Sequence, residues 1–425
     1  MSASAKRRVC VTGIGAVSPA GNDRETTWRR VVAGESCAMP ISQFDARGWQ
    51  TRFACEVRDF SMPRGALGPE RDAYRTRANE FGLAAAHEAV LDSGILATVD
   101  PDRFGISVGV GIGTITPTQV AARLGDVNLS ALSEDLARAL GNLPDQYFLL
   151  RNHPGTLASL LSEHWNARGP LSTIHTACTS SGQSIGQAWM QIRDGDADVM
   201  LAGGTDSIAG ELYHAAFCLL SALSKRNDDP QRAARPFDKD RDGFVPSEGA
   251  AVLVLEERER ALSRGAKIYG EILSYGDTGN AYRITDLPDD GAGIIAAMES
   301  AVGAAGIDFK DVDYINAHGT STPLNDRIEA IAIDRVFTAR DAFPLVSSTK
   351  SVVGHLIAAA GALELAFCCL ALRDGVVPPT QNLTESDCSR TIRFVAREAR
   401  EAPLRIAMSN LLGFGGSNAV LVVRK

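Results

Sequence analysis

Short runs of β-branched and small apolar residues alternate along this chain with longer stretches rich in Ala and Leu. Residues 8–12, 105–110 and 198–203 are apolar at successive positions, the pattern of strands buried on both faces. Residues 79–93, 157–166 and 180–193 carry helical spacing, and 312–315 reads as a further strand. The most apolar helical stretch, 358–372, is interrupted by one charge, Glu364. This alternation predicts an α/β architecture. No linker, low-complexity tract or long charge run divides it.

One internal echo adds to the picture. Gly243-Phe244-Val245-Pro246-Ser247 leads into the apolar run 251–255, and Gly413-Phe414-Gly415-Gly416-Ser417 leads into 419–423. Each is a Gly-Phe turn, a serine and an apolar strand. With two α/β runs of similar pattern, the echo suggests a duplicated fold whose halves, residues 1–255 and 256–425, pack together.

Composition changes the picture mainly by exclusion. The 425 residues are 45% hydrophobic and 22% charged, ordinary globular usage. A net charge of −8 from 43 basic and 51 acidic residues lacks the basic excess of a nucleic-acid binder. The polar, basic start is followed by a glycine-broken strand rather than a signal peptide, and no run of about 18 apolar residues suggests a membrane span. The eight cysteines, at 10, 37, 55, 178, 218, 368, 369 and 388, form no CxxC pair. Reduced thiols in a cytoplasmic protein are the expectation.

Four segments carry candidate chemistry. Cys178, in Thr176-Ala177-Cys178-Thr179-Ser180, sits on a turn between a β-rich run and a helix starting near Ser180. A helix N-terminus favours thiolate, the form that attacks acyl carbonyls, although a structural cysteine packs equally well at such a junction. His318, in Asn316-Ala317-His318-Gly319-Thr320-Ser321-Thr322, follows a strand and falls at a cleft mouth, where satisfied structural histidines are also common. Lys350 and His355 precede the apolar helix, and Lys350 is the natural partner for Glu364, as a functional or a plain structural pair. The 413–416 turn is either a simple hairpin or a source of N–H groups for an oxyanion. Gly13-Ile14-Gly15 and Gly109-Val110-Gly111-Ile112-Gly113 are decoys, because Ser18 and Thr114 stand where a dinucleotide fingerprint needs its third glycine. No HExxH or close Cys/His cluster suggests a metal.

Taken in order, these segments resemble the active-site signatures of the β-ketoacyl-acyl-carrier-protein synthases, most closely the elongating synthase II branch. The likeness begins at Arg8-Val9-Cys10-Val11-Thr12-Gly13 and includes Asp196 to Gly204 and Arg235 to Phe244. It implies the thiolase fold, five layers α-β-α-β-α formed from two similar halves, and a dimer, with itself or with a chain-length-factor subunit. By the same resemblance Cys178 accepts an acyl group, the N–H groups of Cys178 and Phe414 hold the oxyanion, and His318 and His355 assist malonyl decarboxylation. Lys350 and Glu364 match a supporting pair, Thr320 and Thr322 match positions that bind phosphopantetheine, and Phe414 matches a gate. The partner is acyl-carrier protein, which delivers the pantetheine arm. No metal or bound cofactor is expected. The rival reading is a non-catalytic chain-length-factor-like subunit, which lacks the nucleophile.

Arg71 and Arg75, with Arg77 close by, form one candidate basic patch for docking the carrier, with Glu70, Asp72 and Glu80 available to neutralise it. By the same family resemblance Lys225 and Arg226 form a second. Segments 113–124 and 147–154 depart from the family pattern, and Leu411-Leu412 replaces its usual Ser-Phe pair. These departures favour a specialised polyketide or polyene pathway over bulk fatty-acid synthesis.

Overall fold

A computed structural model describes residues 7–63, 69–111 and 147–425. Eleven strands form the main sheet: β1 (Val9–Val17), β2 (Phe104–Val110), β3 (Leu171–Ile174), β4 (Val199–Ser207), β5 (Glu248–Glu257), β6 (Gly270–Gly279), β7 (Tyr314–Asn316), β8 (Leu345–Ser347), β9 (Arg393–Phe394), β10 (Ile406–Leu412) and β11 (Ser417–Arg424). Their spatial order is β9-β8-β7-β10-β11-β6-β1-β5-β4-β2-β3.

That order contains one topology twice. Leaving aside the two-residue edge strand β9 and counting the remaining strands along the chain within each half, β1-β5-β4-β2-β3 and β6-β11-β10-β7-β8 both run first, fifth, fourth, second, third. The senses match as well. The first-fifth and fourth-fifth pairs are antiparallel, while the second-fourth and second-third pairs are parallel. The halves join where Val9, Cys10 and Val11 of β1 pair with Ile272, Glu271 and Gly270 of β6. The two echoed Gly-Phe turns precede β5 and β11, the last main-sheet strand of each half.

Helices complete five layers. α1 (Arg77–Ser93) covers β1, β5 and β4 from outside, and α3 (Ala292–Ala305), backed by α4 (Pro323–Val336), covers β6 and β11. α2 (Ser180–Asp194) and α5 (Ala360–Asp374) touch each other and strands of both halves, so they form the middle layer. A helix with protein on every side must be apolar all round. α5 accordingly buries every residue from Ala360 to Leu372, Glu364 included. α1 starts two residues before the expected 79, because the Thr76 side chain accepts the Asn79 N–H as its N-cap. Gly13 and Gly15, one of the decoys, lie under α1, where a Cβ on Gly15 would stand 1.9 Å from Ala85 O.

The middle layer sets the site. Gly182 of α2 and Gly361 of α5 cross backbone to backbone: a Cβ on Gly361 would lie 2.9 Å from Gly182 N. Leu411 fills the notch, and a Cβ on Gly182 would meet its Cδ1 at 2.0 Å. The N-terminal ends of two helices, one following Cys178 and the other following His355, are thereby brought together.

Candidate active site

Cys178 lies on the 3-10 turn Ala177–Thr179, between β3 and α2. Ala177 has φ +52°, a left-handed conformation costing a non-glycine residue about 1–3 kcal/mol. Local bonds hold it: Thr176 N–H donates to Ser180 Oγ (2.9 Å), Ser180 Oγ donates to Ala177 O (2.7 Å) and Thr179 Oγ1 donates to Thr176 O (2.9 Å). Thr179 Oγ1 also lies 2.6 Å from Ser417 Oγ, tying the elbow to the 413–416 turn. That turn links β10 to β11 as a hairpin, and the Phe414 N–H points at the Cys178 sulfur.

The expectation of a thiolate favoured by the helix N-terminus is not met. Burial pushes the Cys178 thiol up to about 12, and the Lys350 charge and Phe414 N–H only partly oppose it. Desolvation of the anion outweighs the donors around it, so the resting group is a thiol.

The two histidines converge on this sulfur. His355 Nε2 is 3.1 Å from Cys178 Sγ, and the His318 and His355 rings stand edge to face with centroids 5.3 Å apart. One ligand atom from each of the three residues falls within 4.8 Å of the others. Their tautomers follow from what faces Nδ1. The Ile357 N–H lies 3.3 Å from His355 Nδ1, and Lys350 Nζ lies 3.3 Å from His318 Nδ1. Both neighbours are donors, so both Nδ1 atoms accept and each neutral ring carries its proton on Nε2. Burial, then the Lys350 charge, holds both imidazoles well below their ordinary value and therefore neutral. Two converging N–H donors suit a developing oxyanion; a metal would need lone pairs at those same nitrogens.

Behind His318 the buried Lys350 donates to Glu364 Oε1, as the sequence pattern implied. Burial pushes Glu364 up to about 7 against the pull of that ammonium. Sequence reasoning missed Glu329. From α4 its carboxylate accepts the N–H groups of His318 and Gly319, each at 2.8 Å, and so fixes the histidine's backbone. The signal was available, since Glu329, Ala332, Ile333 and Val336 share one buried face of α4, the kind of anomaly that singled out Glu364.

A cavity of about 370 Å³ leads to these groups, lined by Cys178, His318, His355, Thr320, Thr322 and Phe414 among others. Thr320 Oγ1 and Thr322 Oγ1 are 2.9 Å apart on its wall. Phe414 is 36% exposed at the mouth. Phe244, its echo in the other half, lines the same cavity and packs edge-on against His355. Leu412 also lines it, whereas Leu411 faces the glycine notch.

The docking candidates fall in different settings. Lys225 is exposed, and Lys225 and Arg226 follow closely on Ser221 and Ala222 of the cavity rim. The Lys225 N–H donates to Asp242, another lining residue. Arg71 pairs with Glu163, and Arg75 pairs with Glu80 and Asp72. Arg77 pairs with the buried Glu248, 2.8 Å from Nε to Oε2, which meets its charge. Segment 113–124 lies outside the described residues. Of segment 147–154, Arg151 to Pro154 line a small second cavity of about 30 Å³.

Residues 6–261 match the family model for the β-ketoacyl synthase N-terminal domain, and residues 269–384 match that for the C-terminal domain. The chain belongs to the β-ketoacyl synthase family. It is 40% identical over 425 residues to the 3-oxoacyl-[acyl-carrier-protein] synthase 2 of Coxiella burnetii, covering 99% of each chain. It is equally 40% identical to the putative polyketide β-ketoacyl synthase 1 of Streptomyces cyaneus, over 98% of each. Among solved structures it resembles the ishigamide ketosynthase/chain length factor, with a TM-score of 0.84 and 34% identity over 99% of this chain and all of that one.

Proposed function

We propose that this chain is an elongating ketosynthase that joins an acyl group on Cys178 to a malonyl unit delivered on acyl-carrier protein. The observation that carries this reading is the pair of Nε2–H donors converging beside a buried thiol. In the first half-reaction the Cys178 sulfur attacks the acyl thioester while the N–H groups of Cys178 and Phe414 hold the oxyanion; the carrier C–S bond then breaks, and the proton given up by the Cys178 thiol passes to the departing carrier sulfur. A malonyl thioester then enters past Thr320 and Thr322. Its C–CO₂⁻ bond breaks, carbon dioxide leaves, and the electron pair passes to the thioester oxygen as an enolate bonded by His318 and His355. The enolate carbon attacks the acyl-Cys178 carbonyl, forming the C–C bond. The C–S bond breaks, and Cys178 returns as thiolate to be reprotonated. Lys350, Glu364 and Glu329 hold His318 in place. No step calls for a metal or a bound cofactor, since the pantetheine arrives with the carrier.

The same proposal divides the chain at 255/256 into a nucleophile half and a histidine half, supported by the repeated strand order. A dimer, with itself or with a chain-length-factor partner, is supported by the likeness to the ishigamide pair. Both relatives' names leave fatty-acid and polyketide synthesis open, and the Leu411-Leu412 departure keeps us with the specialised pathway. Cys178 with both histidines speaks against a non-catalytic subunit. Among the described residues no helix is long and apolar enough to cross a membrane, and a cytoplasmic site of action fits that.

For carrier docking we place Lys225 and Arg226 ahead of Arg71 and Arg75, whose charges are already met by carboxylates. The test is direct. Acyl- and malonyl-carrier protein mixed with the enzyme should yield the β-ketoacyl carrier product by intact mass. Lys225→Glu/Arg226→Glu should raise KM for the carrier substrates while sparing a small pantetheine thioester. The difference should shrink with salt, because exposed charges are screened within about 8 Å at physiological ionic strength. Absence of product refutes the reading; equal loss with both substrates refutes the docking assignment.

A further inference from the structure

His355 is fixed in two unequal ways. Its backbone is bonded on both sides, with its N–H donating to Val245 O (2.9 Å) and its carbonyl accepting from Ser247 N–H (3.2 Å). On the Nδ1 side its ring meets one backbone group, the Ile357 N–H at 3.3 Å. Ile357 is poorly suited to that place, being a β-branched residue at φ +44°. Such a conformation persists only where the surroundings over-determine it.

Asp206 over-determines it. This residue stands near the end of β4 and is 2% exposed. Its Oδ2 accepts the Ala358 N–H at 3.0 Å, and its Oδ1 accepts the Ser207 N–H at 2.9 Å. One carboxylate thus bridges a central strand to the turn Ile357–Ala359 that carries the His355 ring contact. Gly111 leaves room for it, since a Cβ there would stand 2.1 Å from Oδ1. Asp206 does not line the active cavity, and none of the established features of the site uses it.

We infer that Asp206 is a positioning residue for His355: it holds the Ile357–Ala359 turn so that the Ile357 N–H faces Nδ1, which keeps the imidazole proton on Nε2 and aimed at the reacting thioester. The titratable groups facing His355 itself are Cys178, His318 and the Lys350 charge; Asp206 acts only through the turn. In rate terms the inference rests on the reaction proposed above, but the tautomer can be read without any turnover.

The test uses the full chain with its histidine rings labelled with ¹⁵N, the His355 signals being identified by their loss in His355→Gln. Wild type should show His355 as the Nε2–H tautomer alone. Asp206→Asn keeps the shape but can accept only one of the two N–H groups through its single carbonyl, and should show mixed tautomers. Carbon dioxide release should fall about tenfold, while acyl-Cys178 formation stays within about twofold. Gly111→Ala, which crowds the same carboxylate without changing charge, should do likewise. An unchanged His355 tautomer in both variants overturns the inference. So does equal loss of both half-reactions with a lowered Tm, the signature of a merely structural carboxylate. If wild type itself releases no carbon dioxide, the proposed function fails, and the tautomer signals still decide this inference.

Discussion

Cys178→Ala should gain no acyl mass on incubation with acyl-carrier protein, whereas wild type gains one acyl group. The reason is access as much as reactivity. Cys10, Cys37, Cys55, Cys368 and Cys369 are buried in the core, Cys218 and Cys388 are part-buried, and Cys178 is the cysteine that lines the cavity. Acylation persisting in the variant would remove the nucleophile assignment. The thiol also sets a pH dependence. With Cys178 pushed up to about 12, the thiolate fraction between pH 7 and 9 is small and grows about tenfold per unit. Acylation by a small thioester should climb with that slope and show no plateau by pH 9. A plateau near neutrality would mean that the helix N-terminus and the Phe414 N–H win over burial after all.

That reversal shows where sequence reading stops. The elbow itself was legible, because a β-rich run, small residues and a helix lie side by side around Cys178. The charge state of its sulfur was not, since burial depends on α5 and the 413–416 turn, which arrive from the other half of the chain. Lys350 and Glu364 could be paired in advance because a lone carboxylate in an apolar helix demands a partner. Glu329 carried a similar signal on a less apolar helix and went unread. Asp206 had none: it works through a backbone N–H on Ala358, and no periodicity marks a side chain whose partner is a distant amide. The fold divides in the same way. Alternating elements and the Gly-Phe echo pointed to two α/β halves, and both echoes indeed precede the fifth strand of a repeated order. The crossing of Gly182 and Gly361, which brings Cys178 to His355, is a contact between two helix faces and leaves no trace in either pattern alone.

Replacing His318 or His355 with Ala should cut carbon dioxide release from a malonyl thioester by about 10²-fold or more, the usual loss on removing one positioned oxyanion donor. Acyl transfer to Cys178 should remain measurable in both variants, because the proposed mechanism assigns that step to the Cys178 and Phe414 N–H groups. The two should still differ. His355 Nε2 lies 3.1 Å from the sulfur, so His355→Ala should slow acylation as well, whereas His318 lies against Lys350 and its loss should be confined more nearly to decarboxylation. Wild-type decarboxylation should also stay flat as pH falls from 8 through the ordinary imidazole value of about 6.5. An imidazole whose value is depressed stays neutral until the pH drops below that lowered value, and both rings are held well below 6.5 by burial and Lys350. Radiometric or manometric carbon dioxide release, measured beside intact-mass acylation, reads both steps. Equal losses in the two half-reactions would make these histidines structural. A wild-type rate already falling near pH 6.5 would mean that at least one of them is protonated at rest and cannot be a neutral donor set by its Nδ1 partner.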